Sequence, residues 1–290
     1  MKKVFIVNPN SGSNKAIQAM HEINTICKEK NYDYQIIITD CPKDATKIVK
    51  ELHNSIVFSV GGDGTLNEII NGINSDCMLG IIPAGSGNDF YKSIDSNKKL
   101  VDLGHIKYFN SGKIEELKFI NIASFGGIDS LVGYYANEFK DSGDGNNAYL
   151  KGIKKAFKDF KPVKTDFGVS TIVTICNGRY YGNGIQIAPF SDISDGYLDL
   201  CLADDIKKRK MLYLLFKLIV LNGKHVNSSS FHHEKIENLI INSDFQLICN
   251  IDGEVIKGTH FEIKTIPKTI EYFNEPDCDI QKIISRNIKK

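Results

Sequence analysis

The sequence lacks any C-x-x-C pair. Its seven cysteines (Cys27, Cys41, Cys77, Cys176, Cys201, Cys249 and Cys278) are scattered over 290 residues and odd in number. They suggest neither a zinc cluster nor a disulfide framework, and a reducing, cytoplasmic setting fits them best. Charge of one sign is missing too. There are 36 Lys and Arg against 35 Asp and Glu, a net charge of +1, so no global field points to nucleic acid or to an acidic partner. No aromatic-stacking or arginine-rich signature argues for nucleic acid either. Long apolar runs are absent. The longest, MLYLLFKLIVL (211–221), is too short for a bilayer and is interrupted by Lys217. The apolar run of the opening MKKVFIVNPNSG stops at Asn8-Pro9 and reads as a first buried strand rather than a secretory signal. Neither a Rossmann G-x-G-x-x-G nor a P-loop G-x-x-x-x-G-K-[ST] occurs in a suitable setting, and no internal repeat is visible.

What is present is enough apolar sequence, 42%, for two hydrophobic cores. Up to about residue 116, apolar runs such as KKVFIVN, SIVFSVGG and MLGIIPAG alternate with helical patterns. That alternation predicts an α/β domain with a parallel sheet covered on both faces. Residues 117–275 change texture to short β runs with turn signals, which predict an antiparallel β-sandwich domain interrupted by helices near 147–160 and 205–223. Asn177-Gly178 is expected to turn a hairpin. The stretch 276–290 reads as a short helix or a tail, with the option of packing back on the first domain.

Three glycine-rich turns each follow a strand of the first domain: VNPNSGS (7–13), VGGDGTLNE (60–68) and PAGSGNDF (83–90). The glycines are expected to reach positive φ and to let main-chain amides approach a ligand. Thr65 and Glu68 have the spacing of a capping box, placing a helix N-terminus where its dipole suits a phosphate. Turns after successive parallel strands gather at the carboxyl edge of the sheet, where open α/β sheets bind ligands. In the second domain, Asp252-Gly253-Glu254 offers two carboxylates at i and i+2, able to face one cleft if the strand continues through them. SDISDGYLDL contributes Asp192, Asp195 and Asp199, oxygen donors that suit a hard cation.

Asn8-Pro9-Asn10-Ser11-Gly12, Gly61-Gly62-Asp63-Gly64-Thr65-Leu66-Asn67-Glu68 and Pro83-Ala84-Gly85-Ser86-Gly87-Asn88-Asp89-Phe90 resemble the catalytic domain of the diacylglycerol kinase family. The soluble bacterial lipid kinases, related to sphingosine and ceramide kinases, are the most similar type. NGRYYGNGIQIAP (177–189), SDGYLDL (194–200) and IDGE (251–254) resemble its second-domain motifs in order. The resemblance implies an ATP-dependent lipid kinase working with Mg²⁺ in an interdomain cleft. Diacylglycerol is the first-choice acceptor; phosphatidylglycerol, sphingoid bases and undecaprenol-like alcohols stay open. It implies that Asn8, Ser11, Gly12, Gly61, Gly62, Gly64, Thr65, Glu68, Gly85, Ser86, Asn88, Asp89 and Lys92 hold the nucleotide. Asp252 becomes the general base with Glu254 beside it, and Asp63 an active-site acid that organises Mg²⁺ or accepts a proton. Asp195, with carbonyls of Asp192 and Tyr197, becomes a structural magnesium site, and Asp102 and Lys151 match other family positions.

The chain departs from the family at Lys92, where arginine is usual, and at Ser13, where a basic residue is common; Lys15 lies close by in sequence. An NAD kinase, which shares G-G-D-G, and an inactive lipid-binding relative are the alternatives. A lipid kinase implies transient peripheral membrane contact. DDIKKRKMLYLLFKLIVLNGK (204–224), a basic cluster joined to an apolar helix, is one surface suited to it. A free sheet edge in the second domain leaves a homodimer open.

Overall fold

The computed structural model describes residues 1–95, 100–110, 112–141, 148–273, 280 and 283. The first domain is built from β1 (Lys2–Val7), α1 (Lys15–Glu29), β2 (Tyr34–Ile38), α2 (Asp44–Lys50), β3 (Ser55–Gly61), α3 (Asp63–Ile70) and β4 (Met78–Pro83). Strands β2, β1, β3 and β4 lie side by side, all parallel. Strand β3 is buried throughout, which is why it reads as an unbroken apolar run rather than an alternation. Val4, Ile6 and Val57 pack one face with α2 and α3; Phe5, Val7 and Phe58 pack the other with α1. Ile280 and Ile283 are buried in the α1-side cluster.

The second part contains β5 (Leu100–Asn110), β6 (Lys113–Phe119), β7 (Ile122–Gly126), α4 (Gly127–Asp141), α5 (Ala148–Asp159), β8 (Val163–Thr165), β9 (Gly168–Cys176), β10 (Tyr180–Tyr181) and β11 (Ile185–Gln186). It ends with β12 (Leu198–Asp204), α6 (Lys208–Ile219), β13 (Phe231–Ile236), β14 (Asn238–Ile251) and β15 (Glu254–Tyr272). Its strands pair antiparallel and form a β-sandwich-like domain. The two halves share backbone. Glu271 and Tyr272 at the end of β15 pair in parallel with Met78 and Leu79 of β4.

One expectation needs correction and one element is new. Asn177-Gly178 turns no hairpin, because β9 pairs with β7, β8 and β12 while β10 pairs only with β11. Asn177 is instead buried, its amide donating to the carbonyls of Asp102 and Ile120. Helix α4 was not expected. It starts where Gly126 and Gly127 take φ of 66° and 75°, and a Cβ on Gly127 would stand 2.3 Å from the Thr171 carbonyl oxygen.

Candidate active site

The three glycine turns meet, but through space rather than backbone conformation. Gly61, Gly62 and Gly64 all lack positive φ, contrary to expectation. A Cβ on Gly61 would fall 2.4 Å from Thr65 Oγ1, and one on Gly85 would fall 2.3 Å from Gly62 Cα. Gly12 does take φ of 60°, and its Cβ would collide with the Ala84 carbonyl oxygen at 2.0 Å. The first and second turns are thus each pressed against the third. Asn88, at φ 51°, closes that third turn on itself: its side chain accepts from Gly85 N and donates to Gly85 O, both at 2.9 Å. Ser86 is exposed at its tip.

No capping box forms. Helix α3 starts three residues earlier than the Thr65–Glu68 spacing implies, with Gly62 at the cap and Asp63 in the first turn. Thr65 is buried inside the helix and accepts from Asn8 Nδ2 at 3.2 Å, tying the first turn to the second. Glu68 accepts from Ala45 N at 3.2 Å, across to α2. A polar cavity of about 170 Å³ opens beside this arrangement, lined by Asn8, Thr65 and Glu68 together with Thr39, Asp40 and Cys41. The last three lie just past the end of β2. Sequence reasoning missed them because that turn carries no glycine.

Asp63 faces the third turn. Its carboxylate accepts from Asp89 N at 3.0 Å and Phe90 N at 3.1 Å. Burial, and then the charge of Asp89, push its carboxyl above the ordinary range, while those two amides and Lys92 oppose the shift. Asp89 is buried and paired with Lys92 at 2.9 Å. Its other oxygen accepts from Asn183 N at 2.8 Å, at the tip of the β10–β11 hairpin, so the second domain touches the first here. Ser11 is partly exposed beside Gly62, with its Oγ 3.6 Å from where a Gly62 Cβ would stand.

Asp252 and Glu254 do not share a strand geometry. Asp252 and Gly253 form the two-residue turn between β14 and β15, at φ of 48° and 96°. The turn folds the Asp252 carboxylate inward and leaves Glu254 exposed. Asp252 accepts from Ile120 N and Ile122 N at 2.8 Å each, from Asn121 N at 3.2 Å and from Asn67 Nδ2 at 3.3 Å. Burial raises its carboxyl to about 6 against the pull of those donors. Asn67 belongs to α3, one turn beyond Asp63, so the acid of the second domain reaches the helix that begins at the glycine turn. Asn67 was not singled out from sequence. Its one signal is an amide at a buried helix position between Leu66 and Ile69.

The acidic turn at 192–197 is occupied by the protein itself. Asp192 Oδ1 accepts from Ser194 N and Oγ, and Asp195 Oδ1 from Tyr197 N at 3.0 Å. Asp195 Oδ2 receives the Lys235 ammonium. Among the described residues no group of three His, Cys, Asp or Glu side chains is arranged to hold a metal. The Lys235 ammonium thus stands on the central carboxylate, where the family resemblance places a magnesium ion. Asp102 lies with this turn rather than with Asp89, accepting from Gly196 N at 2.7 Å and Lys268 N at 2.6 Å. Lys151 is exposed on α5, its ammonium 5.9 Å from the Phe139 ring centre.

A parallel α/β domain with interlocked glycine turns, facing an acid carried by a β-sandwich domain, defines a two-domain fold with its site at the junction. Residues 2–122 match the diacylglycerol kinase catalytic domain, and residues 123–274 match the YegS C-terminal NAD kinase beta sandwich-like domain. The chain belongs to this lipid kinase family. It is 26% identical to a "Diacylglycerol kinase" of Bacillus subtilis, over 88% of this chain and 90% of the relative. It is 25% identical to a "Probable lipid kinase YegS" of Salmonella arizonae, over 96% and 97%. A Bacillus anthracis crystal structure titled as a diacylglycerol kinase shares the fold, with a TM-score of 0.64, 22% identity and 96% and 98% of the two chains covered. No helix among the described residues is long and apolar enough to cross a membrane.

Proposed function

We propose that this chain transfers the γ-phosphate of ATP, brought as its magnesium complex, to a lipid hydroxyl, with diacylglycerol as the first acceptor. The observation that carries the reading is the junction itself: Asn67 on α3 links the helix that begins at the glycine turns to Asp252 of the second domain.

Phosphoryl transfer asks mainly for positioning and charge handling. The amides of the turns at Gly12 and Gly62, with the N-terminus of α3, supply donors for phosphate oxygens, and Asn88 holds the Gly85 amide to fix the third turn beside them. Lys92 adds a positive charge beside them, although as a point charge it lacks arginine's two-point grip. Magnesium arrives with the nucleotide and offsets the Asp63 and Asp89 carboxylates near the phosphates. Asp252 takes the proton of the acceptor hydroxyl. A carboxyl near 6 is ionised at neutral pH yet basic enough to act, and such a base contributes ~10²–10⁴-fold. The 3.3 Å contact from Asn67, which comes from a side chain able to turn away, is the one a substrate hydroxyl replaces.

The test is transfer of labelled phosphate from ATP to a panel of diacylglycerol, phosphatidylglycerol, a sphingoid base, an undecaprenol-like alcohol and NAD. Wild type should label one lipid class, and Asp252→Asn should label it at least ~10²-fold more slowly with ATP affinity retained. Labelling of NAD alone, or equal rates for the two proteins, would refute the reading.

A further inference from the structure

Helix α6 carries two apolar stripes, one buried and one exposed, and lies on the surface. Met211, Leu214 and Leu218 make its buried stripe. A second stripe at helical spacing (Leu212, Phe216 and Ile219, continued by Val220) faces solvent, with Leu212 54% and Val220 62% exposed. An apolar stripe of this kind on a helix that already has a buried face calls for a second apolar environment.

Beside it runs a third stripe. Lys210, Tyr213 and Lys217 follow one another at i, i+3 and i+7, with the Lys217 ammonium 4.8 Å from the Tyr213 ring centre. These residues form one wall of a groove of about 400 Å³, and Asn227 and Ser228–Ser230 form the other. Two ammonium groups opposite a run of hydroxyls are the donor set of a phosphate site. The helix carries Lys208, Arg209, Lys210 and Lys217 and no acidic residue. Asp204 and Asp205 precede it; Asp204 is paired with His232.

We propose that α6 seats the protein on an anionic phospholipid bilayer, with Leu212, Phe216 and Val220 entering the acyl boundary and a headgroup phosphate held between Lys210, Lys217 and Ser228–Ser230. The adjoining cationic groove selects this occupant over a second copy of the chain, since a copy would bring the same positive charge to the contact. The chain also connects this surface to the candidate site. Gly223, just past α6, packs against Gln186 of β11, and the same hairpin reaches Asp89 through Asn183. The proposal goes beyond the kinase reading and stands on α6 alone.

Vesicle co-sedimentation without nucleotide tests it independently of catalysis. Wild type should bind phosphatidylcholine vesicles that contain phosphatidylglycerol and not phosphatidylcholine alone, and should be released by salt. Lys210→Gln with Lys217→Gln should lower binding by about thirty-fold, roughly five-fold for each charge at the surface. Leu212→Glu with Phe216→Glu should abolish it at a little-changed unfolding temperature, because about half of each side chain is already exposed, at 54% and 47%. Absence of wild-type binding, equal binding to neutral vesicles, or variants that bind like wild type would overturn the proposal. So would a dimer that the Leu212→Glu, Phe216→Glu variant breaks into monomers while vesicle binding persists, since that would assign the face to a second copy.

Discussion

Gly62 and Gly85 meet backbone to backbone: a Cβ on Gly85 would stand 2.3 Å from Gly62 Cα, and one on Gly62 would stand 3.1 Å from Gly85 Cα. The second and third turns can lie this close only because Gly85 has no side chain, and Gly62 leaves little room for one.

Gly85→Ala therefore forces the turns apart, since backbone has no rotamer with which to yield. Overpacking of this kind costs about 1–3 kcal/mol. ATP affinity, measured by calorimetry, should fall at least about ten-fold, and the unfolding temperature should drop. Gly64→Ala, where no atom lies within 4 Å of the added carbon, should not lower the unfolding temperature. Equal ATP affinity in Gly85→Ala and wild type would remove the turns from the nucleotide site.

Lys92 balances two acids, Asp89 by direct contact and Asp63 through its field. Lys92→Met should destabilise the protein by about 1–3 kcal/mol, because it leaves a buried carboxylate without its cation. Lys92→Arg should recover most of the loss in urea unfolding. If Lys92→Met is as stable as wild type, the Asp89 pair is not an anchor.

Asp129, at the start of α4, is buried against Thr174, and burial lifts its carboxyl from 3.8 to about 6. The folded chain keeps this proton over a pH range in which the unfolded chain has lost it. The resulting stability is complete below about pH 4 and is lost as the pH rises through about 6, on the order of 3 kcal/mol for a two-unit separation. Asp129→Asn removes the titration. The stability of wild type relative to this variant should fall by about 2–3 kcal/mol between pH 4 and pH 7 in urea unfolding. A difference that is flat with pH would contradict the assignment.

Lys235 stands on Asp195, with Asp199 and Asp192 contributing to the same field. The unfolding temperature of wild type should not respond to a chelator. Lys235→Ala should lose about 1 kcal/mol or less, as half-exposed pairs do, and should then gain stability on adding magnesium. A wild-type protein that loses stability with EDTA would restore a structural metal at this turn.

The parallel sheet was legible because β1, β3 and β4 are buried on both faces and so must be continuous apolar runs bounded by turns. The three glycine turns were legible for a related reason: backbone packed on backbone leaves no room for a side chain at Gly12 and Gly85 and little at Gly62. The Thr65–Glu68 spacing misled, because a capping box and a buried helix position use the same residue types, and what distinguishes them is where Asn8 and Ala45 stand. Strand alternation at Asp252 failed for a local reason, since two successive positive-φ residues reverse the chain there.

Composition and spacing along the chain determined the two-domain plan and the carboxyl-edge location of the turns, since periodicity and glycine placement are local constraints. Only the tertiary structure decided which partners complete the site. Asn67 with Asp252, Asp63 with the Asp89–Phe90 amides and Asn183 with Asp89 lie between 26 and 185 residues apart, and no local pattern encodes hydrogen bonds across such separations.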